Sequence, residues 1–358
     1  MKVTVRPELD VLTPYKPGKP ISYVMKEFNI SNVIKLASNE NPLGCSTKVK
    51  EALLEAIEEL SLYPDGNSTE LKIELAKKYG LSSEQVCVSS GSDEMVDLLS
   101  KTFLNQNDEV IMADITFPRY FSTATMMGAT PIIIPLQDYK FDLASMEKAI
   151  TENTKIIWIC NPNNPTGTII PTKDIINMLD RISPEILVVL DEAYREFVTS
   201  DEYILDSEKL LSKYENLVIM RTFSKAYGLA ALRVGYTLAH PDIVQAINKI
   251  RGPFNVNTLA QVAAIAALHD PDFLQKSFDV NREGKLYLYK EFERLNITYA
   301  PSEANHIFFF TDQDGFEIFD KLQRRGVIIR PMGKNYLRVS IGTMEENKKF
   351  IEELEALL

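Results

Sequence analysis

The chain has 358 residues, 45% hydrophobic and 25% charged, a balance that suits a globular protein of about two domains with a large core. Fifty Asp and Glu against 39 Lys and Arg leave a net charge of -11, which argues against nucleic acid and anionic membranes as partners. Cys45, Cys87 and Cys160 form no CxxC pair, and His240, His269 and His306 form no HExxH spacing. Neither a zinc hydrolase nor a disulfide framework is therefore expected, and a reducing, cytoplasmic setting is. The first ten residues carry charges and a proline where a signal peptide needs an apolar run, and no window reads as a membrane span.

From about residue 45 helical and strand patterns alternate. Residues 47–60 place Val49, Ala52, Leu53, Ala56, Ile57 and Leu60 on one helical stripe, and 93–103 reads as a second helix. Short apolar runs follow at 110–113, 132–134, 156–160, 186–190, 217–220 and 234–238. Strands apolar on both faces and separated by helices predict a mainly parallel central sheet in an α/β layered fold. Beyond residue 255, helical patterns at 258–268, 281–295, 316–325 and 345–357 join strand candidates at 307–310, 327–329 and 337–341. These predict a smaller α+β domain. A glycine and a proline interrupt the pattern at 251–253. The expected division is an N-terminal arm with part of the small domain over 1–45, a large domain over 46–252 and the small domain over 253–358.

Three loops carry unusual chemistry. Asn161-Pro162-Asn163-Asn164-Pro165-Thr166-Gly167 follows the 156–160 strand, at the sheet edge where α/β folds bind ligands. Asp191-Glu192-Ala193-Tyr194 ends the 186–190 strand, where a buried acid needs a partner or a ligand cation. Thr222-Phe223-Ser224-Lys225-Ala226-Tyr227-Gly228 sets a lysine among hydroxyls, aromatics and glycine, an environment that desolvates it and lowers its pKa. Thr222, Ser224, Arg233 and the Gly91-Ser92-Asp93 helix start supply hydroxyls, a guanidinium and helix amides for a phosphate. No GxxxxGK[ST] or GxGxxG run explains those donors otherwise. A Schiff-base lysine, a carboxylate for a ring nitrogen and a phosphate cradle together describe pyridoxal phosphate.

In order and spacing, NPNNPTG at 161, DEAY at 191 and SKAYGLAALRVGY at 224 resemble the fold-type I aminotransferases of the aspartate aminotransferase superfamily. LTPYKPG at 12, LASNENP at 36, LYPDG at 62 and LRVSIGT at 337 extend the resemblance over nearly the whole chain, toward the histidinol-phosphate branch. Two positions depart from the family. Ala231 stands where glycine is usual, and Phe117 stands where the ring-stacking aromatic is often tyrosine, so the stacking face is kept and a hydroxyl is lost.

The resemblance implies a homodimeric aminotransferase with shared active sites, acting on histidinol phosphate with glutamate/2-oxoglutarate. By the same resemblance, Lys225 forms the Schiff base and moves the substrate proton, and Asp191 holds the proton on the ring nitrogen. Tyr194 and Asn164 donate to the ring oxygen, and Phe117 stacks on the ring. Ser92, Asp93, Thr222, Ser224 and Arg233 lie at or beside the phosphate, Asp93 contacting amides or stabilising the loop. Arg338 takes the substrate carboxylate, and Arg330 with Tyr15 takes a substrate phosphate. Asn39 and Asn305 are further substrate-side candidates, and Tyr63 reaches the cofactor phosphate of the other subunit. An aromatic-amino-acid aminotransferase and a phosphothreonine decarboxylase of the same fold would share Lys225, Asp191 and Arg233. A cofactor-binding regulator would need a DNA-binding module that the early start of the first domain leaves no room for.

Overall fold

The computed structural model describes residues 3–14, 18–203 and 206–358. Near the N-terminus α1 (Ile21–Phe28) leads to β1 (Ile34–Lys35). Next come α2 (Thr47–Ala56), α3 (Thr69–Tyr79), β2 (Val86–Ser89), α4 (Gly91–Phe103), β3 (Glu109–Ala113), α5 (Arg119–Met126), β4 (Thr130–Ile134), α6 (Leu143–Lys148) and β5 (Thr154–Cys160). The chain continues through α7 (Thr172–Leu179), β6 (Leu187–Asp191), β7 (Leu217–Thr222), β8 (Gly235–Ala239), α8 (Pro241–Asn248), α9 (Thr258–Leu268) and α10 (Pro271–Arg294). It closes with β9 (Tyr299–Ala300), β10 (His306–Phe310), α11 (Gly315–Arg324), β11 (Val327–Ile328), β12 (Arg330–Pro331), β13 (Tyr336–Ser340) and α12 (Met344–Glu355).

The large sheet has seven strands in the order β2-β8-β7-β6-β5-β3-β4. All neighbours from β7 to β4 pair in parallel, and β8 runs antiparallel to both β7 and β2. Every residue of β6 and β7 is buried, as is all of β5 except Lys155, which is why these strands read as apolar runs rather than as alternation. This topology sends the carboxyl ends of β2, β3, β5, β6 and β7 to one edge. Because β8 is reversed, the residues just before it arrive at that same edge.

A second core forms around the antiparallel sheet β12-β13-β10-β9 from Phe292, Ile307, Phe309, Leu337, Val339 and Phe350. The boundary expected at 253 does not follow the packing of α9. Ala260, Ala263, Ala264 and Ala267 join the large core, and the second core draws on Leu36 near the N-terminus and then on residues from Leu288 within α10 onward. Small side chains let α9 lie close to its neighbours, a property that hydrophobic periodicity alone does not assign to either core.

Other differences are local. The stripe expected over 47–60 ends as α-helix at Ala56; residues 57–59 tighten into a 3-10 turn, and Ile57 and Leu60 are exposed. The helix α10 begins at Pro271 rather than near 281, because proline sits in its first turn, where no backbone N–H is needed, and Asp270 caps it. The strand expected at 327–329 ends at Ile328 as β11, which pairs with β1, and a separate β12 from Arg330 pairs with β13. Among the described residues no helix is long and apolar enough to cross a membrane.

Candidate active site

Ten of the residues singled out from the sequence converge at the shared strand edge. Ser92, Asp93, Phe117, Asn164, Asp191, Tyr194, Thr222, Ser224, Lys225 and Arg233 line one cavity of about 150 Å³, together with Cys160 and Ala193. Asn164 follows β5, Asp191 ends β6, and Thr222 ends β7 just before Ser224 and Lys225. Parallel neighbours end at the same level, so loops 30 residues apart in sequence face one space.

One end of the cavity is built for an anion. α4 starts at Gly91, so its first backbone N–H groups have no partner within the helix, and Ser92 and Arg233 line the cavity at this helix start. Gly91 has φ +78°, and a Cβ there would come within 2.6 Å of Arg233 Nη2. Only glycine lets the guanidinium lie against the helix start. Arg233 itself is left-handed, at φ 56° and ψ 71°, a conformation costly for arginine that directs its side chain back to α4. Thr222 Oγ1 accepts the N–H of Ser224 at 3.1 Å and shapes the turn that presents both hydroxyls. Asp93 accepts from Arg119 Nε at 2.9 Å, and Arg119 also reaches Asp97 at 2.7 Å. The acid is thereby held by the Arg119 guanidinium.

The other end holds a lysine and an aspartate whose pKa values are displaced in opposite directions. Burial, followed by Arg338 and Arg233, pulls the Lys225 ammonium down to a pKa of about 8. Its Nζ donates to the carbonyl of Ser38 at 3.2 Å. Burial pushes the Asp191 carboxyl up to about 6, against the opposing hydrogen bonds from Tyr120 and Ala193. Tyr120 Oη donates at 2.6 Å and the Ala193 N–H at 3.1 Å.

Around this end the remaining candidates take supporting positions. Tyr194 is buried, and Asn39 Nδ2 lies 3.0 Å from its Oη. Asn305 Nδ2 donates to the Asn39 carbonyl at 3.0 Å. Arg338 Nη1 donates to Asn164 Oδ1 at 2.7 Å, which leaves the Asn164 NH2 turned away from the guanidinium, and Arg338 Nη2 donates to the Ala37 carbonyl at 2.7 Å. Arg330 is the direct register partner of Arg338 across β12 and β13, so both side chains leave the same face. Tyr63 is 83% exposed and stacks on Phe254 at 4.7 Å, away from this chain's own cavity. Tyr15 lies outside the described residues.

Sequence reasoning passed over Tyr120, Ser38 and His306. Tyr120 follows Phe117 closely in the chain, and the T-shaped contact of the two rings at 5.6 Å puts Phe117 at the cavity and Tyr120 behind it. Ser38 acts through its backbone, which no side-chain motif reveals.

The family described as "Aminotransferase class I and II" matches residues 31–354. A relative named "Histidinol-phosphate aminotransferase" from Caldicellulosiruptor saccharolyticus is 44% identical, over 99% of both chains. One of the same name from Moorella thermoacetica is 46% identical over 97% of this chain and 91% of its own. A solved histidinol-phosphate aminotransferase from Sinorhizobium meliloti, in complex with pyridoxal-5'-phosphate, superposes with a TM-score of 0.90 at 25% identity, over 100% of this chain and 99% of that one.

Proposed function

The chain belongs to the class I and II aminotransferases, with the fold-type I architecture, and we propose that it transfers the amino group of histidinol phosphate to 2-oxoglutarate. The products are imidazole acetol phosphate and glutamate, and the cofactor is pyridoxal phosphate. The observation that carries this reading is one cavity with a glycine-dependent anion cradle at one end and the Lys225–Asp191 pair at the other. The names of relatives at 44% and 46% identity support the choice of substrate.

The donor set fits the cofactor. The α4 amides, Ser92, Thr222, Ser224 and Arg233 would hold its phosphate, Phe117 its ring face, and Asp191 its ring nitrogen. When bound, the cofactor supplies the carbon that accepts the amino group and a ring that withdraws negative charge from it. Asp191 holds a proton at the ring nitrogen, since a buried carboxylate beside a cation favours the charged pair. At a pKa of about 8, Lys225 is poised to take the proton from the substrate Cα and return it at the neighbouring carbon. Asn164 and Tyr194 present an amide N–H and a hydroxyl to the ring oxygen. Arg338 meets the substrate's anionic end, and Arg330, one strand over, selects a phosphate.

The chain works as a cytoplasmic homodimer in this reading, with Tyr63 offered to the neighbouring subunit. Exposed Leu60 and Leu62 flank it, and the free thiols of Cys45, Cys87 and Cys160 suit a reducing compartment.

The test is a substrate panel with 2-oxoglutarate, comparing histidinol phosphate, phenylalanine, tyrosine and O-phosphothreonine on wild type and Arg330→Ala. Histidinol phosphate should lead on wild type, and its kcat/KM should fall about tenfold or more in the variant, the cost of one charged hydrogen bond. Equal losses for histidinol phosphate and phenylalanine would count against Arg330, and decarboxylation of O-phosphothreonine would replace the reading.

A further inference from the structure

Asn39 joins the cavity to a buried histidine. Its Nδ2 lies 3.0 Å from Tyr194 Oη and 3.0 Å from His306 Nδ1. Its Oδ1 lies 3.0 Å from Ser340 Oγ, which also accepts the Asn39 backbone N–H at 2.8 Å. An amide turned end for end keeps the same outline, so two proton arrangements are open. In one, Nδ2 donates to both Tyr194 and His306. In the other, the amide oxygen receives the protons of Tyr194 and of His306 Nδ1. Only the first leaves the Tyr194 proton for the cavity.

Ser340 and His306 decide between them. His306 is fully buried at the start of β10. Burial, and then the Arg338 and Lys225 cations, hold its pKa well below the usual imidazole value, so the ring carries one proton. The backbone of Asn163 and Pro165 lies against the ring, and Nε2 is sealed from water with no hydrogen-bond partner among the described residues. Ser340 Oγ accepts the Asn39 backbone N–H and has its own proton for Asn39 Oδ1, so the Asn39 NH2 faces His306 Nδ1, where a proton on the ring would collide with it and a proton on Nε2 would not. Nδ1 is then the acceptor, and an acceptor there holds the Asn39 NH2 toward it.

We infer that His306, as the neutral Nε2–H tautomer, is a positioning residue: its Nδ1 fixes the Asn39 amide and thereby aims the Tyr194 hydroxyl proton into the cavity. The edge contact of the two rings, at 5.0 Å and 74°, holds the imidazole beside the phenol it serves. The inference rests on the proposed role of Tyr194 as a donor to the cofactor ring oxygen.

Two measurements test it. Nitrogen NMR of histidine-labelled, cofactor-free wild type, assigned by elimination with His240→Gln and His269→Gln, should show His306 as Nε2–H across neutral pH. An Nδ1–H tautomer or a charged ring there overturns the inference, and this arm needs no substitution at His306. In protein reconstituted with pyridoxal phosphate, Tyr194→Phe should shift the pH midpoint of the visible absorption by about one unit, as one hydrogen bond to a charged oxygen implies. His306→Phe keeps a ring against Tyr194 and should move the midpoint in the same direction, by at least half as much. His306→Gln, whose amide oxygen is offered to Asn39, should restore most of it, and the double variant should shift no further than Tyr194→Phe. A wild-type midpoint in His306→Phe beside a shifted one in Tyr194→Phe overturns the inference alone. An unmoved midpoint in Tyr194→Phe removes the Tyr194 role and the inference with it.

Discussion

Tyr120 donates a 2.6 Å hydrogen bond to Oδ2 of Asp191 from behind the cavity, its ring held flat against Trp158 at 4.4 Å. The bond favours the carboxylate form that burial opposes, so it supports the charge that the proposed role of Asp191 requires. Tyr120→Phe should therefore raise the acid limb of the pH–rate profile and lower kcat about tenfold or more at neutral pH. Both are read from steady-state rates across pH, and an unmoved acid limb would show that Tyr120 only fills space.

The proposed role of Asp191 sets function against stability. Its pKa of about 6 in the folded, cofactor-free chain lies above the ordinary 3.8, so folding favours the protonated form. That contribution is fully present below pH 3.8 and is lost as pH rises through 6. At pH 7 the buried charge leaves the cofactor-free fold less stable by roughly 3 kcal/mol than a neutral isostere would. Asp191→Asn should accordingly raise Tm by a few degrees at pH 7, with the gain shrinking toward pH 4. The same variant should lower kcat by about 10³-fold, through loss of a preorganised electrostatic partner. Calorimetry of the cofactor-free variant at two pH values, beside its turnover, checks both signs.

Lys225 reacts with an aldehyde only as the neutral amine. With its pKa held at about 8, the rate of reconstitution with pyridoxal phosphate should rise with pH to a plateau whose midpoint lies near 8 rather than 10.5. Growth of the visible absorption after mixing gives the rate. In Lys225→Ala, borohydride should fix no cofactor to the chain, and turnover should be nearly lost. Covalent fixation surviving in that variant would place the reactive amine elsewhere.

The parts of this site legible in sequence are those written next to their own strands. Asn164, Asp191 and Lys225 each follow an apolar run by a few positions, so strand, loop and chemistry appear together. Tyr120 and His306 act across 71 and 267 residues through single hydrogen bonds, and neither stands in a run that announces a partner. The fold shows the same division. β5, β6 and β7 declared themselves by burial on both faces, whereas β2 is four residues long and gains its meaning only from pairing with β8.

Gly91 joins the helix dipole to the guanidinium. Gly91→Ala places an L residue at φ +78° and a Cβ 2.6 Å from Arg233 Nη2, so the long side chain must swing away from α4. The backbone term costs roughly 1–2 kcal/mol of stability. Affinity for pyridoxal phosphate should fall about tenfold or more, while affinity for pyridoxal, which lacks the phosphate, should hardly change. Titration of both compounds followed by absorbance separates a damaged anion cradle from a damaged fold, since the latter would weaken the two alike.

Tyr63 tests the assembly. The phenol is 83% exposed and stacked on Phe254, so it is preorganised to point outward rather than packed within its own subunit. If it donates to the cofactor phosphate of the neighbour, Tyr63→Phe keeps the stack and removes one hydrogen bond to a dianion. Cofactor retention should then weaken by about tenfold or more, equivalent to roughly 1.5–3 kcal/mol. The decisive form mixes two inactive variants, Lys225→Ala and Tyr63→Ala. In a shared site the mixed dimer has one pocket carrying both lesions and one carrying neither, so activity should return as subunits exchange, toward half of the wild-type value per mixed dimer. Sedimentation and native mass spectrometry establish that exchange has occurred. Exchange without recovery, or full activity in a chain that sediments as a monomer, would assign Tyr63 to its own subunit's surface and leave each cavity complete within one chain.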